Sequence, residues 1–179
     1  PGVQRKTDEL LFVGRLVEKK GVQFLLEAMP AVLKKHPAVR LILAGSGPME
    51  QELRQQAQRL KISDKVSFLG MVSQTELPAM YRKATLAIFP FIVAKSGDQE
   101  GFGLVQVEAM GCECPIIAGD LPAIHDIVIH EENGLIVESG NIRALADAII
   151  QTLDDKDLRL KLAEKARMQV MERFDWEVI

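Results

Sequence analysis

Two carboxylates and two glycines in one short stretch could bind a ligand that carries both an anion and hydroxyl groups. Glu100 and Glu108 stand eight positions apart, and Gly101 and Gly103 lie between them. Glycine lets the backbone come close to a ligand, and a helix that begins near Gly103 would offer free N–H groups to an anion. Carboxylate oxygens accept hydrogen bonds from hydroxyl groups. The pattern therefore suits a phosphate-bearing, hydroxyl-rich molecule such as a nucleotide sugar.

The same stretch also has a plainer interpretation. Glu108 would stand more than one turn inside the helix, and helical side chains lean toward the helix N-terminus. Its carboxylate could therefore reach a group bound there, while Glu100 would approach from the loop on the other side. A capped helix with one solvent-facing glutamate fits the spacing equally well.

A pair of cations follows the first apolar run of the sequence. Gly14 and Arg15 end that run, and Lys20 stands beside Gly21 just before a long helical pattern. An arginine as a planar fork and a lysine as a point charge could together neutralise a diphosphate. Taken alone, Lys19 next to Lys20 makes solvated surface charges the more ordinary interpretation.

A second glycine-rich segment resembles the dinucleotide-binding loop of Rossmann oxidoreductases only weakly. Gly45-Ser46-Gly47-Pro48 follows an apolar run, but Glu50 stands where the third glycine belongs. The next apolar run ends at Leu69-Gly70 and offers no acidic residue to bind a ribose. A nicotinamide-dependent oxidoreductase is therefore disfavoured.

The histidines and cysteines predict no further centre. His125 and His130 have no third ligand at metal spacing, and His36 precedes a proline at a predicted helix end. Cys112 and Cys114 follow a helix stop, where buried thiols are favoured over a nucleophile. Two cysteines so close together cannot form a disulfide framework or a four-ligand zinc site.

The elements that must position these residues alternate along the chain. Short apolar runs predict strands at 10–13, 41–44, 66–69, 86–89, 115–118 and 135–137, whereas helical periodicity covers 22–33, 49–60, 103–110, 141–153 and 154–171. Continuous apolar strands with helices between them predict an α/β fold, with a Rossmann-like parallel sheet covered by helices on both faces. Such sheets bind ligands at the carboxyl ends of their strands, where Arg15 and Glu100 would lie.

Length and charge narrow the class of protein. A chain of 179 residues predicts one domain. Its 22 basic and 25 acidic residues give a net charge of −3, which disfavours a general nucleic-acid binder. The longest apolar run, residues 86–94, is too short to span a bilayer. With no signal-like N-terminus and no disulfide framework, we expect a cytoplasmic protein. Because the sequence begins at Pro1 without a methionine, we expect a domain of a longer protein.

Together these motifs resemble the C-terminal, donor-binding domain of retaining glycosyltransferases of family 4, which have the GT-B fold. The resemblance extends from about residue 10 to residue 176. Within the loop, Ser96-Gly97-Asp98-Gln99-Glu100 resembles the branch that builds bacterial exopolysaccharides. The resemblance rests on Gly14-Arg15 with Lys20-Gly21, Gly45-Ser46-Gly47-Pro48, Val66-Ser67-Phe68-Leu69-Gly70, the Glu100 and Glu108 pair, Glu108-Ala109-Met110 and Glu132-Asn133-Gly134.

The resemblance implies a role for each matching residue. Arg15 and Lys20 would hold the diphosphate of a nucleotide-sugar donor, and Glu100 would accept from hydroxyls of the donor sugar; these three would form the catalytic set. Glu108 would accept from the ribose hydroxyls. The remaining donor-binding residues would be Gly14, Gly101 and Phe102, the backbone amides of Gly103, Leu104 and Val105, and Met71 with Val72 at the base.

The resemblance also implies a reaction and its partners. A sugar would pass with retention from a UDP-sugar, or as second choice a GDP-sugar, to a glycan or lipid-linked acceptor in polysaccharide biosynthesis. No metal or other cofactor would be needed, and no nucleic acid would be bound. The full-length enzyme would be expected in the cytoplasm, either free or attached to the inner face of the cell membrane.

Acceptor recognition in such enzymes belongs largely to an N-terminal domain, which would lie outside this chain. Residues 1–179 would then form a nucleotide-sugar donor-binding domain that is inactive by itself. Phe174-Asp175-Trp176 resembles the point where the family's chain returns toward that N-terminal domain. The alternative is a non-catalytic nucleotide-binding or interaction module of Rossmann type.

Overall fold

Six parallel strands form one sheet at the centre of the structure, a computed structural model that describes residues 8–173. The sheet has the order β3-β2-β1-β4-β5-β6, and every neighbouring pair is parallel. The chain therefore builds outward from β1 to one edge and then from β4 to the other. The strands are β1 Glu9–Val13, β2 Arg40–Ala44, β3 Val66–Gly70, β4 Leu86–Phe89, β5 Ile116–Gly119 and β6 Leu135–Val137.

Six α-helices cover the two faces of the sheet. They are α1 Val22–Lys35, α2 Glu50–Arg59, α3 Leu77–Lys83, α4 Leu104–Gly111, α5 Ile142–Asp154 and α6 Lys156–Arg173. Short 3₁₀ turns occupy Glu18–Lys20, Ser63–Lys65 and Pro122–Asp126. The predicted Rossmann-like α/β fold is confirmed. Over the described residues, no helix is both long and apolar enough to cross a membrane. The predicted return segment at Phe174-Asp175-Trp176 lies outside the described residues.

Alternation along each strand divides the core between the two faces. Leu10 and Phe12 of β1 are buried in one core cluster with side chains of α1, α2 and α5. Leu11 and Val13 point the other way, into a second cluster with α3, α4 and part of α6. Both faces are therefore apolar, which is why the strands appear in the sequence as continuous apolar runs.

Helix α3 was not predicted from the sequence. It has seven residues and begins after a polar turn, so it offers too little periodicity to detect. Its start is nevertheless encoded by Ser73 and Glu76: the backbone N–H and the hydroxyl of Ser73 both donate to the Glu76 carboxylate, at 3.2 and 2.6 Å. The backbone N–H groups of Glu76 and Leu77 donate in turn to the carbonyl of Ser73, so residues 73–76 form a hydrogen-bonded turn that leads into the helix. The two hydrogen bonds that Ser73 donates also lower the pKa of Glu76.

The loops that follow β1 and β4 meet backbone to backbone. Gly21, just before α1, has φ +70°, and a Cβ at this position would lie 1.7 Å from the carbonyl oxygen of Pro90. The backbone N–H of Ile92 donates to the carbonyl of Lys19 at 3.0 Å. Since β1 and β4 are adjacent strands that lead in opposite directions across the sheet, these loops border its topological switch point.

Replacing Gly21 by alanine should destabilise the protein by at least about 2 kcal/mol, because the new Cβ meets a backbone carbonyl and the left-handed conformation is strained. Gly97→Ala is the matched control: its φ is +85°, but a Cβ there meets nothing within 4 Å. It should cost only about 1 kcal/mol. Urea unfolding compares the two, and equal losses would contradict the close approach.

Candidate functional site

A cleft of about 660 Å³ opens at the carboxyl ends of β1, β2 and β3. The N-terminal half of α4 closes one side of it. Of the predicted donor-binding residues, the cleft brings together Gly14, Arg15, Met71, Val72, Val105 and Glu108. Residues that line it without having been predicted as site residues are Val13, Ala44, Gly45, Ser46, Gly47, Pro48, Gln74 and Leu77.

The glycine-rich turn after β2 shapes this cleft through its backbone packing. A Cβ on Gly45 would lie 1.9 Å from the carbonyl oxygen of Gly14, and one on Gly47 would lie 2.3 Å from that of Leu16. Side chains at these positions would push the loops after β1 and β2 apart. The two glycines are explained by this close approach and need no bound dinucleotide.

Helix α4 begins where the sequence predicted. Gly103 is its N-cap, with φ +75°, and the helix runs from Leu104. Its first N–H groups have no acceptor within the helix, as at any helix start. Gly101, Phe102 and Leu104 are exposed beside it, and none of these three lines the 660 Å³ cleft.

Glu108 is held in the cleft by a tyrosine from α3. The Tyr81 hydroxyl donates to Oε2 of Glu108 at 3.4 Å, and the Tyr81 side chain is completely buried. Burial raises the pKa of Glu108, and the hydrogen bond from Tyr81 only partly opposes this. Burial, followed by the nearby Glu108 charge, also raises the pKa of Tyr81.

Glu100 and Lys20 form an ion pair across the meeting point of the two loops. Lys20 Nζ donates to Oε2 of Glu100, and each side chain is only 14% exposed. The same ammonium lies 4.6 Å from the centre of the Phe91 ring. Burial alone would raise the pKa of Glu100, but the hydrogen bond and charge of Lys20, with smaller effects of Lys19 and the Gly101 amide, hold it below its usual value.

A second cavity of about 460 Å³ adjoins the first at Arg15, which lines both. Lys19 and Lys20 line this second cavity from one side, and Ala94, Ser96 and Asp98 line it from the loop after β4. Lys19 Nζ contacts Oδ1 of Asp98 at 3.2 Å. Within residues 8–173 the Arg15 side chain is exposed and has no hydrogen-bond or ion-pair partner. Arg15 is thus the cation still available to an incoming anion.

Gln106 is a polar residue of this region that sequence reasoning missed. Its side chain is fully buried, and neither amide atom has a hydrogen-bond partner among the described residues. A Cβ on Gly103 would lie 3.0 Å from its Oε1. The amide is thus packed beneath the start of α4. Gln106 lies between Gly103 and Glu108 in the sequence, but nothing in the pattern distinguished it from a surface residue.

The histidines and cysteines form no additional centre. His125 Nε2 lies 2.7 Å from Oδ1 of Asp120, and His36 Nε2 lies 2.9 Å from Oδ1 of Asp154. Cys112 and Cys114 are buried, as predicted, and form no disulfide. No group of three potential ligands from His, Cys, Asp and Glu comes together within residues 8–173.

Comparison with known proteins identifies the family. Residues 2–169 match the family of glycosyl transferases group 1. The chain belongs to this family. It is 34% identical over 178 residues to an uncharacterized glycosyltransferase, MJ1607, of Methanocaldococcus jannaschii; the match covers 99% of this chain and 44% of the relative.

Two further matched proteins are named together with a nucleotide or a nucleotide sugar. A GDP-mannose-dependent alpha-(1-6)-phosphatidylinositol monomannoside mannosyltransferase of Mycobacterium tuberculosis is 31% identical over 168 residues, which cover 93% of this chain and 44% of that protein. The crystal structure of HepE from Anabaena in complex with UDP superposes with a TM-score of 0.82 at 28% identity, over 93% of this chain and 44% of that one. The chain spans less than half the length of either protein.

These comparisons confirm part of what the motifs predicted. The chain is a group 1 glycosyltransferase domain, and its structural neighbours have the GT-B fold. The family is that of glycosyl transferases group 1, and one structural neighbour, HepE, was solved in complex with UDP. The individual roles of the predicted site residues stay predictions.

The Lys20–Glu100 pair should make stability depend on pH. Since the pKa of Glu100 is lowered in the folded state, the pair stabilises the protein above the unfolded carboxyl pKa of about 4.3 and ceases to do so as pH falls through the lowered value. Glu100→Gln should therefore lose about 1–3 kcal/mol at pH 7 and progressively less in acid. Urea unfolding at a series of pH values measures this difference.

Asp98→Asn is the matched control for that experiment. It removes a carboxylate from the same loop, but the pair with Lys19 is largely solvent-exposed, with Asp98 61% exposed. Its effect should stay below about 1 kcal/mol. A loss in the Glu100 variant that is no larger, or that does not change with pH, would contradict the importance of the buried pair.

Proposed function

We propose that this chain is the donor-binding domain of a retaining family 4 glycosyltransferase that uses a nucleoside-diphosphate sugar, with UDP as the first choice of nucleotide. The observation that carries the proposal is the position of Arg15. It is an unpaired cation at the switch point of the sheet, and it lines both the 660 Å³ cleft and the adjoining cavity. A diphosphate at this junction would place its nucleoside in one and its sugar in the other.

The nucleoside side of the junction offers an acceptor and an apolar wall. Glu108 lines the cleft with one carboxylate oxygen bound to Tyr81, which leaves the other to accept from ribose hydroxyls. Met71 and Val72, after β3, line the far end and would contact the base. The nucleoside would then extend along the carboxyl edge from β1 toward β3, the order in which the strands lie.

The sugar side lies toward the loop after β4. Lys20 lines the adjoining cavity, and its ammonium donates to the Glu100 carboxylate. A lysine ammonium has three N–H donors, so Lys20 can bind a phosphate oxygen while it still contacts Glu100. Glu100 would in turn accept from hydroxyls of the donor sugar, and the first N–H groups of α4 would add to the diphosphate site.

These groups would also favour departure of the nucleoside diphosphate. Negative charge grows on the diphosphate as the glycosidic bond breaks, and fixed cations and helix N–H groups stabilise such charge without reorganisation. We propose that Arg15, Lys20 and α4 meet this charge, so that transfer proceeds without a metal ion. The sugar would be held by Glu100 while a hydroxyl of the acceptor attacks it.

The two matched proteins whose nucleotides are named differ in the base of that nucleotide. HepE was crystallised with UDP, which supports UDP for this chain. The mycobacterial relative is named as GDP-mannose-dependent, so a GDP-sugar remains the second choice. Gln74, two residues after Val72, lines the cleft, and its side-chain amide supplies both a donor and an acceptor that either base could use.

We propose the rest of the reaction for a longer protein, because the chain spans less than half of its relatives. An N-terminal domain outside residues 1–179 would bind a glycan or lipid-linked acceptor, and the full-length enzyme would act in polysaccharide biosynthesis of the exopolysaccharide type. It would act in the cytoplasm, at the inner face of the membrane when the acceptor is lipid-linked. This chain alone would bind donor without completing transfer.

The alternative, a non-catalytic nucleotide-binding module, shares this cleft. The expected contact of Glu100 with the donor sugar distinguishes the transferase from a module that binds only nucleotide. In a module that only binds nucleotide, the Glu100 carboxylate would serve the ion pair with Lys20 alone and would contact no sugar. A nucleotide sugar that binds more tightly than its nucleoside diphosphate would therefore favour the transferase.

Removing both cations should abolish most of the nucleotide affinity. The double variant Arg15→Ala with Lys20→Ala should bind UDP at least about 10-fold more weakly, because a hydrogen bond to a charged group contributes roughly 1.5–3 kcal/mol. Isothermal calorimetry measures this, with GDP in parallel.

EDTA should leave the binding of UDP to the wild-type protein unchanged, because the proposed site contains no metal ion. Loss of binding on chelation, restored by Mn²⁺, would contradict the metal-free site.

The double variant Lys34→Ala with Lys35→Ala is the matched control for charge. It removes the same two positive charges from the exposed C-terminal end of α1. UDP affinity should change by less than about two-fold, since these charges lie at the opposite edge of the sheet and are screened by salt. Equal weakening in the two double variants would refute a specific diphosphate site.

The two glutamates should be separable by their ligands. Glu108→Gln should weaken UDP and UDP-glucose alike, by about 1–3 kcal/mol, because both contain ribose. Glu100→Gln should weaken UDP-glucose without weakening UDP, which has no sugar for it to contact. Titrations of both variants with both ligands measure this, with the exposed α6 variant Glu164→Gln as control. Equal losses for both ligands in the Glu100 variant would overturn the division of roles.

A further inference from the structure

A buried hydroxyl with a single partner lies directly behind the nucleoside side of the cleft. Tyr81 is completely buried among apolar side chains of α3, α4 and the sheet. Within the described chain, its hydroxyl has one hydrogen-bond partner, Oε2 of Glu108 at 3.4 Å. A buried hydroxyl without a partner costs about 1–3 kcal/mol, so this contact requires Glu108 to stay in place.

The dependence also runs in the other direction. Glu108 has no other side-chain hydrogen bond among residues 8–173. With Oε2 bound to Tyr81 and the side chain lining the cleft, Oε1 is the carboxylate oxygen that has no partner within the described chain and can accept from a ligand. A glutamate without this contact would sample several rotamers and would have to be ordered when a ligand binds.

We infer that Tyr81 is a positioning residue for nucleotide binding: it holds the Glu108 carboxylate in the orientation that accepts from ribose hydroxyls. This inference rests on the proposed function, since it assigns Glu108 to the ribose. Tyr81 itself does not line the cleft and acts only through Glu108.

Helix α3 links this contact to the other end of the cleft. Its first residue, Leu77, lines the cleft, and the hydrogen-bonded turn from Ser73 to Glu76 connects its start to Met71 and Val72. Tyr81 stands one turn further along the same helix. One short helix therefore fixes both the segment expected to contact the base and the carboxylate expected to contact the ribose.

The test is a double-mutant cycle on UDP binding. Tyr81→Phe keeps the ring and removes only the hydroxyl, and it should weaken UDP about five-fold, the value of roughly 1 kcal/mol. Glu108→Leu removes every acceptor while keeping most of the side-chain volume. In the Glu108→Leu background, Tyr81→Phe should change UDP affinity by less than about two-fold, since the residue through which it acts is gone.

A structural role for Tyr81 would give the opposite result. If its hydroxyl only supported α3, Tyr81→Phe would weaken UDP equally in both backgrounds. Met80→Leu, a partly buried neighbour in the same core cluster, is the matched control and should leave UDP affinity unchanged in either background. Thermal unfolding of each variant confirms that the fold is retained.

The pH dependence of UDP binding gives a second measurement. Tyr81 lowers the pKa of Glu108 against the larger effect of burial, so its removal raises that pKa further. As pH is lowered, binding that needs the ionised carboxylate should therefore begin to weaken at a higher pH in Tyr81→Phe than in wild type. The groups that face this pair are Arg15 across the cleft and the thiols of Cys112 and Cys114 near Tyr81. Arg167 on α6 contacts the far end of α4, at Gly111.

The two proposals fail in different ways. Wild-type protein that binds neither UDP nor GDP would refute the proposed function. If wild-type protein binds UDP, and Tyr81→Phe changes neither the UDP affinity nor the pH at which binding is lost in acid, only the role of Tyr81 is overturned.

Discussion

The site depends on one lysine that joins the two loops on either side of the switch point. Lys20 ends the loop after β1, donates to Glu100 in the loop after β4 and lies over the ring of Phe91. The carbonyl of Phe91 accepts in turn from the Ser139 hydroxyl at 2.7 Å, which ties the same loop to the end of β6. Without Lys20, the Glu100 carboxylate, whose side chain is only 14% exposed, would lose its ion-pair partner, and burial makes that loss costly.

The strand order explains why this contact falls where the ligand should bind. Strands β1 and β4 are neighbours in the sheet, but the chain leaves β1 toward one edge and β4 toward the other. The loops that follow them therefore diverge and leave a crevice between them. Gly21 lets the backbones of the two loops come into contact, and Arg15 lines the cavities beside that contact. Backbone packing thus joins the loops at one point, and the adjoining cavities leave room for an anion.

Sequence patterns predicted the sheet and most helices because both faces of the strands are buried and the long helices are amphipathic. They could not reveal α3, whose seven residues follow a polar turn, although Ser73 and Glu76 encode its start. The spacing of Glu100 and Glu108 located α4 correctly. It could not show that Lys20 contacts Glu100, because that contact joins residues 80 positions apart through the tertiary fold. The partner of Glu108, Tyr81, was hidden for the same reason.

The pairing of Lys20 changes how the charge of the site must be counted. Four charged side chains were expected to meet the ligand, two cations and two carboxylates, and in the structure Lys20 and Glu100 neutralise each other. In the proposed function, a diphosphate would therefore meet Arg15 as the one unpaired cation among these four, and it would have to share or displace Glu100 to reach Lys20. On the same proposal, a nucleotide sugar would compensate Glu100 with sugar hydroxyls, whereas a nucleoside diphosphate would not. The ion pair would then favour the ligand that carries the sugar.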